Sequence, residues 1–266
     1  MSTIPASTGI GDLLRDWRQR RRLSQLDLSN EAEVSARHLS FVETGRSKPS
    51  RELVLHLAEH LDVPLRERNS LLMAAGYAPV YRERSLDDDE MDPVRGALDM
   101  ILAGHEPFPS VIVNRLWNLV TANAAALTLF TIGVAPALLE APVNVVRLGV
   151  HPDGLAPLVK NLAEFSEHLL LRLERQLAVS PEPELAALYE EVLGYPGVSR
   201  GAPLVTDPTT LLFVPMVFEG PDGRDLALFS TLATFGTALD ITLAELSIES
   251  FFPADAATEA FLRSQA

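Results

Sequence analysis

The sequence predicts a multidomain protein in which an all-α domain of five short helices precedes a larger α+β domain. The chain has 266 residues, the length of about two domains at roughly 100–200 residues each. Leucines at helical spacing and helix-capping residues fill positions 9–75, whereas strand-like apolar runs with turn signals follow position 110. Residues 1–86 carry 13 basic and 11 acidic side chains, and residues 87–266 carry 9 and 25. This asymmetry indicates two domains with different partners.

The composition excludes several classes of protein. No cysteine is present, which rules out a disulfide framework and a thiolate metal site and fits a reducing compartment. The net charge of −14, taken alone, argues against a nucleic-acid partner, because phosphates require positive charge. Residues 15–51, however, hold nine basic side chains against five acidic ones. The basic N-terminal part of the chain therefore keeps a nucleic-acid role open.

Neither a secretory signal nor a membrane span is expected. Residues 1–9 lack a basic segment followed by an apolar run. The longest apolar candidate, residues 111–130, is interrupted by Arg115 and by three asparagines, whereas a span needs about 18 apolar residues with few or no charges. We therefore predict a cytoplasmic protein with no membrane partner.

The five N-terminal helices are predicted from leucine spacing and from capping residues. Leu13, Leu14 and Trp17 repeat at helical spacing in the first helix. The other four begin or end at typical capping residues, namely serine before the first turn, proline near it, and glycine after the last turn. In chain order these are Ser24 with Asp27, Ser35 with Gly45, Pro49-Ser50, and Pro64. The first domain is accordingly placed at residues 1–76.

A polar linker is predicted at residues 77–92. Tyr77-Ala78-Pro79 breaks the fifth helix, and Asp87-Asp88-Asp89-Glu90 is an acidic run. We interpret this run as a solvated linker rather than a metal site, because blocks of like charge repel one another.

The second domain, residues 93–266, is predicted to mix helices and strands. A leucine stripe along residues 155–179 indicates one long helix, and Asp222-Gly223 indicates a hairpin turn. This is an α+β pattern. Helices are predicted at 94–103, 155–179, 184–193 and after Pro253, and strands at 110–114, 116–121, 211–218, 226–234 and 241–251.

Residues 9–63 contain several short runs at fixed offsets. They are Leu23-Ser24-Gln25, Glu31-Ala32-Glu33-Val34-Ser35, Leu39-Ser40, Val42-Glu43-Thr44-Gly45-Arg46, Pro49-Ser50 and Leu57-Ala58. Together they resemble the Xre/Cro-repressor class of helix-turn-helix domains. The resemblance implies a five-helix DNA-binding unit in which Glu43 pairs with Arg18. The sequence departs from the pattern at Glu33, where glycine is common in the tight turn, although other residues adopt that conformation at some cost.

The helix that begins after Ser35 is the predicted recognition helix, since the major groove admits one helix. Arg37 can pair with guanine and Gln25 with adenine. The residues predicted to face base edges are Gln25, Ala36, Arg37, His38 and Ser40, and those suited to phosphate are Ser35, Thr44, Arg46, Lys48 and Arg51. Taken alone, Arg37 and Arg46 would be solvated charges, and the Arg20-Arg21-Arg22 run stays open between backbone contact and solubility. A homodimer on a double-stranded DNA operator is expected.

A second set of runs spans residues 93–263. It includes His105-Glu106-Pro107-Phe108-Pro109, Asn114-Arg115-Leu116-Trp117, Asn144-Val145-Val146-Arg147-Leu148, His151-Pro152-Asp153-Gly154-Leu155 and Glu249-Ser250-Phe251-Phe252-Pro253-Ala254-Asp255. These runs resemble the ligand-binding domain of MmyB-like transcription regulators, which is PAS-like. The resemblance implies an antiparallel sheet flanked by helices around a pocket, and it suggests a fatty-acid-like ligand.

Five residues are candidates for ligand binding. Arg115, Arg147, His151 and Asn123 could hold a carboxylate, arginine best of all because of its planar fork, and Trp117 could line the pocket. The structural alternatives are a turn role for His151, helix N-caps for Asn123 and Asn144, and a core position for Trp117.

No enzyme, metal site or cofactor is predicted. Gly197-Val198-Ser199-Arg200-Gly201 matches a nucleophile motif, but that motif requires a strand before it and a helix after it, and a histidine later in the chain. The last histidine is His168. We expect a ligand-responsive, sequence-specific transcriptional regulator. A protein-interaction regulator without a ligand, or an enzyme that regulates its own gene, stays open.

Overall fold

The computed structural model describes residues 9–201 and 214–265. The chain divides into two compact units. The first contains Met1–Arg84 together with Thr237–Ala244, and the second contains Ser85–Gly236 together with Glu245–Ala266. The segment Thr237–Ala244, which the sequence placed inside the second domain, thus packs with the N-terminal helices.

The first unit begins with five helices, which confirms the predicted all-α domain. Its predicted caps form: the Ser24 hydroxyl accepts the Asp27 N–H at 3.1 Å, and the Asp27 carboxylate accepts the Ser24 N–H at 2.8 Å. The Ser35 hydroxyl accepts the His38 N–H at 3.1 Å. The helices are α1 (Ile10–Arg20), α2 (Gln25–Glu31), α3 (Ala36–Glu43), α4 (Arg51–His60) and α5 (Leu65–Ala74).

Two backbone positions bring these helices together. Glu33 adopts a positive φ of 50° in the turn between α2 and α3, so this non-glycine residue takes the left-handed conformation that the turn requires. Gly11 of α1 lies against the end of α3, where a Cβ atom would stand 2.5 Å from the Val42 carbonyl oxygen. The core that results is centred on Leu14, Leu28 and Leu39, all of which are buried.

A small network, here called the clasp, joins residues 82–84 to residues 240–242 within the first unit. The Ile241 N–H donates to the Arg82 carbonyl at 2.8 Å, and the Thr242 hydroxyl donates to the Arg84 carbonyl at 2.6 Å. The Arg84 guanidinium donates to the Asp240 carboxylate at 2.9 Å. Ile241 is only 3% exposed, so the clasp combines a buried side chain with backbone pairing.

The second unit is built on a five-stranded antiparallel sheet with the strand order β2-β1-β5-β4-β3. Helices pack against it, which confirms the α+β prediction. The strands are β1 (Ser110–Val113), β2 (Leu119–Ala122), β3 (Met216–Glu219), β4 (Asp225–Thr234) and β5 (Ser247–Pro253). The helices are α6 (Asp92–His105), α7 (Ala124–Phe130), α8 (Val145–Val150), α9 (Leu162–Val179), α10 (Pro183–Leu193) and α12 (Ala256–Ser264), and the clasp segment adds α11 (Ile241–Ala244) to the first unit.

Two predicted elements are shorter than the sequence suggested. The long helix begins at Leu162 rather than at 155, because the Lys160 N–H donates to the Val217 carbonyl at 2.7 Å and holds the chain extended there. The last strand begins at Ser247 rather than at 241, because the Asp240 carboxylate accepts the Thr242 N–H at 3.0 Å and starts the helical turn α11. Positions 211–213 of the predicted strand 211–218 lie outside the described residues.

Helices α7 and α8 were not predicted, although their N-caps were considered as an alternative role. The Asn123 side chain accepts the Ala126 N–H at 3.0 Å, and the Asn144 side chain accepts the Arg147 N–H at 3.1 Å. Both asparagines are therefore N-caps. None of the described helices combines the length and the apolar character that crossing a bilayer requires.

Candidate functional site

Helix α3 presents a continuous exposed face at the surface of the first unit. Ala36, Arg37 and His38 are exposed and Ser40 is half-buried, whereas Leu39, Val42 and Glu43 point into the core. The Arg37 guanidinium lies 5.3 Å from the centre of the Phe41 ring. The helix can therefore offer short polar side chains and one arginine to a groove while its other face is anchored.

A buried carboxylate fixes the orientation of α3. Glu43, which is 2% exposed, accepts two hydrogen bonds from Arg18 of α1, at 2.7 and 2.8 Å. This is the predicted Glu43–Arg18 pair, and the structure confirms it. Gln25 of α2 also donates to Glu43 at 2.8 Å. One side chain thus ties together the three helices α1, α2 and α3.

Burial alone would raise the pKa of Glu43, because it penalises the charged form. The hydrogen bonds from Arg18 and Gln25 and the charges of Arg18 and Arg15 outweigh this effect, so the pKa of Glu43 lies below its ordinary value. The hydrogen bond to Glu43 likewise raises the pKa of Arg18. These contacts therefore favour the charged forms of both Glu43 and Arg18.

The other predicted DNA-contacting residues lie around α3. The exposed members are Ser35, Thr44, Arg46, Lys48 and Arg51. The Lys48 ammonium lies 5.1 Å from the centre of the Tyr77 ring, and the Ser35 hydroxyl is engaged as the N-cap of α3. Gln25 is half-buried, and a bidentate contact with adenine would have to replace its bond to Glu43.

The second unit contains a cavity of about 380 Å³. Pockets for small molecules range from about 300 to 1,000 Å³ and are mostly apolar. Helices α7, α8 and α9 and all five strands contribute to the lining. Its apolar surface comes from residues such as Phe130, Leu148, Phe165, Leu169, Met216 and Phe251.

A compact polar group interrupts this apolar lining. Arg172 of α9 donates to the Glu249 carboxylate of β5 at 2.8 Å, and Ser230 of β4 donates to the same oxygen at 2.7 Å. The guanidinium of Arg172 also lies 5.2 Å from the centre of the Trp117 ring. His168 lines the same cavity one helical turn before Arg172.

Of the five residues that the sequence suggested for ligand binding, Trp117 lines the cavity. It is 5% exposed and adopts a positive φ of 64°. Its indole N–H donates to Gln176 at 2.9 Å. Trp117 is therefore both a buried core residue and a part of the cavity wall.

The other four candidates are not among the described residues that line the cavity. Arg115 forms ion pairs with Glu182 and Glu245. Asn123 caps α7 and also donates to the Phe108 carbonyl at 2.7 Å. Arg147 pairs with Glu191, and His151 accepts the Asp153 N–H at 2.9 Å through Nδ1.

The charged and histidine side chains that do line the cavity were not among the predicted ligand-binding residues. Phe165, His168, Leu169 and Arg172 repeat at helical spacing and so share one face of α9. An acid inside an apolar strand, such as Glu249, is a second signal, because buried acids need a cationic or hydrogen-bonding partner. These two patterns mark Arg172 and Glu249 as candidates one by one, and only the fold shows that they form a pair.

The motif around Ser199 lies in a loop. A nucleophile in such a motif needs a strand-to-helix turn, and here the described residues before it form the end of α10 and an irregular segment. Within residues 9–201 and 214–265, no group of three or more metal-ligating side chains comes together.

Comparison with known proteins gives limited structural likeness. One solved structure, titled "Structure of an RNA-binding Light-Oxygen-Voltage Receptor", is similar at 13% identity and a TM-score of 0.27. The match covers 97% of this chain and 62% of that one, so this chain spans less than two thirds of its length. A likeness at this TM-score supports no argument here. No curated protein matches the chain.

Family comparison is more informative. Residues 10–71 match a helix-turn-helix domain, and residues 94–264 match the MmyB-like transcription regulator ligand binding domain. The first match contains the exposed helix α3 with its Glu43 anchor, and the second contains the apolar cavity. Because the second match covers more than half of the chain, the protein belongs to the MmyB-like transcription regulators.

Proposed function

We propose that this protein is a sequence-specific DNA-binding regulator whose pocket binds an apolar small molecule, a fatty acid or a related acyl compound. The observation that carries the proposal is the cavity of about 380 Å³ in the second unit, with a mostly apolar lining and a few polar side chains. A protein-interaction domain that needed only a packed core would not require such a space, because cores are close-packed.

For the DNA interface, we assign base reading to the exposed face of α3. Arg37 supplies the fork that pairs with guanine, and Ala36, His38 and Ser40 lie beside it. Gln25 joins them if its bond to Glu43 opens. The phosphate contacts are assigned to Ser35, Thr44, Arg46, Lys48 and Arg51, which flank the helix.

The protein is proposed to act in the cytoplasm as a homodimer on a pseudo-palindromic operator. One recognition helix covers only a few base pairs, and two-fold pairing doubles the site. A ligand then changes operator affinity if it binds one arrangement of the dimer better than another.

The pocket is tested by filling it. Gly149 of α8 lines the cavity, and a Cβ atom there would meet Phe165 at 3.6 Å, an ordinary contact. Gly149→Leu should therefore fold and occupy the space. Gly104→Leu is the matched control, because nothing lies within 4 Å of a Cβ at that helical glycine.

The probes are dodecanoate and dodecan-1-ol. Their binding is monitored by tryptophan fluorescence. The chain has two tryptophans, and Trp17→Phe leaves Trp117 in the pocket as the single reporter. We expect at least one probe to change Trp117 emission in Trp17→Phe and in Trp17→Phe/Gly104→Leu, but not in Trp17→Phe/Gly149→Leu. If neither probe binds the parent, or if both bind the pocket-filled variant equally well, the assignment of the cavity is wrong.

The regulatory link is tested by calorimetry. The probe that binds in the fluorescence test is titrated into full-length protein with and without operator DNA. The operator is first selected by the protein from a random pool of duplexes. Since coupling is reciprocal, operator and probe must change each other's affinity by the same factor. Equal probe affinities in the two titrations would leave a bound molecule with no regulatory role.

A further inference from the structure

The charges inside the cavity indicate which head group it accepts, given the proposed function. Arg172 and Glu249 already form a hydrogen-bonded ion pair at 2.8 Å. Their side chains are 33% and 10% exposed, so the pair is largely withdrawn from water. The Ser230 hydroxyl donates to the same carboxylate at 2.7 Å. The positive charge that a ligand carboxylate would seek is therefore neutralised by the protein.

A free carboxylate would meet two obstacles at this position. It would place a second negative charge beside Glu249 while sharing one guanidinium, and neighbouring like charges in a shielded site disfavour joint ionisation. One face of the guanidinium is also covered by the Trp117 ring at 5.2 Å. Displacing Glu249 would leave a buried acid without its cation, which is costly.

We propose that the pocket selects apolar molecules with an uncharged, hydrogen-bonding head group, such as a long-chain alcohol, amide or ester, and that Glu249 excludes free carboxylates. A hydroxyl can donate to Glu249 and accept from Arg172 without breaking their pair. Thr131 and His168 line the same cavity and offer further donors and acceptors. The ligand is then a neutral relative of a fatty acid, such as its alcohol, amide or ester, rather than the free acid.

The test compares dodecan-1-ol, dodecanamide and dodecanoate, which share one chain length, in calorimetric titrations of the full-length protein. The wild type should bind a neutral probe at least about tenfold more tightly than dodecanoate, a difference of about 1.4 kcal/mol. Glu249→Gln should reverse this order by freeing Arg172. Glu191→Gln is the matched control, because Glu191 pairs with an arginine that does not line the cavity.

The outcomes distinguish a failure of this inference from a failure of the proposed function on which it rests. Tighter or equal binding of dodecanoate by the wild type overturns the head-group selection and leaves the acyl pocket intact. Binding of none of the three overturns the pocket assignment itself. If thermal unfolding shows that Glu249→Gln does not fold, Ser230→Ala provides the second variant. This variant removes one bond to Glu249 but keeps the negative charge of Glu249, so it should still prefer neutral probes over dodecanoate. A preference for dodecanoate in Ser230→Ala would count against the proposal.

A different observation carries a second inference, which also rests on the proposed function. The pocket-lining strands β4 and β5 are consecutive in the sheet, and the chain that connects them contains Thr237–Ala244, which belongs to the first unit. Ser230 lies on β4 and Glu249 on β5, so the same two strands hold the polar group of the cavity. The clasp residues 240–242 therefore lie on the connection between the two strands that carry Ser230 and Glu249.

The clasp also reaches the DNA-binding helices through one side chain. Asn69 of α5 accepts the N–H groups of Val80 and Tyr81 at 2.9 and 3.1 Å and donates to the Tyr81 carbonyl at 2.7 Å. Residues 82–84 follow directly and pair with 240–242. We infer that the clasp is the element through which occupancy of the pocket biases the DNA-binding unit.

The clasp is tested with Asp240→Asn combined with Thr242→Val, which removes the carboxylate and the hydroxyl that hold Arg84. The probe is dodecan-1-ol, and the measured quantity is the factor by which it changes operator affinity. We expect this factor to fall toward one while probe affinity without DNA stays at the wild-type value. Asp222→Asn, which removes an equal charge from the β3–β4 turn, should leave the factor unchanged. A wild-type factor in the double variant, or a wild-type protein that shows no coupling, overturns the inference.

Discussion

Arg147 and Glu191 face each other as a bidentate ion pair in which both nitrogen–oxygen distances are 2.7 Å. The pair joins α8 to α10, and neither residue is among those that line the cavity. Arginine and carboxylate match best in this fork-to-fork geometry. One of the two arginines that the sequence suggested for a ligand carboxylate is thus already bound to a carboxylate of the protein.

We predict that Arg147→Gln leaves probe affinity unchanged, whereas Arg172→Gln changes it. The reason is that only Arg172 reaches the cavity among the described arginines. Calorimetry with the tighter-binding C12 probe measures both variants. If Arg147→Gln lowered affinity as much as Arg172→Gln did, Arg147 would regain the ligand-binding role that the sequence suggested.

The Arg147–Glu191 pair should contribute to stability in a defined pH range. The hydrogen bond from Arg147 lowers the pKa of Glu191 from 4.5 to about 2, against the opposing effect of burial. A carboxyl whose folded pKa is depressed stabilises fully above its unfolded pKa, and this contribution is lost as the pH falls through the folded value. The melting-temperature difference between wild type and Glu191→Gln should therefore be constant from pH 6 to 8 and shrink below about pH 4.5. A difference that grew on acidification would contradict the sign.

Substitutions at Arg37 and at Lys48 should affect DNA binding in different ways. Arg37→Ala should weaken specific binding by about 1–3 kcal/mol and relax base choice at one position. Lys48→Ala should weaken all sequences alike and reduce the salt slope by about one. Binding is measured on the selected operator and on single-base variants across a salt series. Equal losses on every sequence for both variants would remove Arg37 from base reading.

The protein should bind its operator as a dimer. Half-site centres are expected about one helical turn, or a multiple of it, apart. Analytical ultracentrifugation of the complex with footprinting checks both stoichiometry and spacing. A single protein chain on a single half-site would rule out the two-fold arrangement.

The sequence predicted the first unit more completely than the second, for physical reasons. Capping residues such as Ser24 and Ser35 act within three positions of themselves, so local sequence determines those helices. The break before Leu162 instead depends on pairing with Val217, which lies far away in the sequence. A leucine stripe cannot reveal such a competitor.

The two candidate sites also differ in how far the sequence predicted them. The Glu43–Arg18 pair followed from a family resemblance and is confirmed by the geometry. The pocket residues did not follow, because Arg172 and Glu249 are brought together by an ion pair across 77 positions of sequence. Arg147 was a candidate in the sequence and Arg172 was not, and only the fold shows that Arg172 lines the cavity and Arg147 does not.

The passage of Thr237–Ala244 into the first unit bears on how such regulators can be recombined. A chimera made with one crossover in the linker would combine the DNA-binding helices of one protein with the ligand-binding unit of another. Residues 237–244 would then come from the second protein and would not match the helices against which they pack. Ile241, 3% exposed in this chain, would then face a foreign surface or water. Exchange of the DNA-binding unit between relatives should therefore require residues 237–244 to be exchanged as well, as a second and separate coding segment.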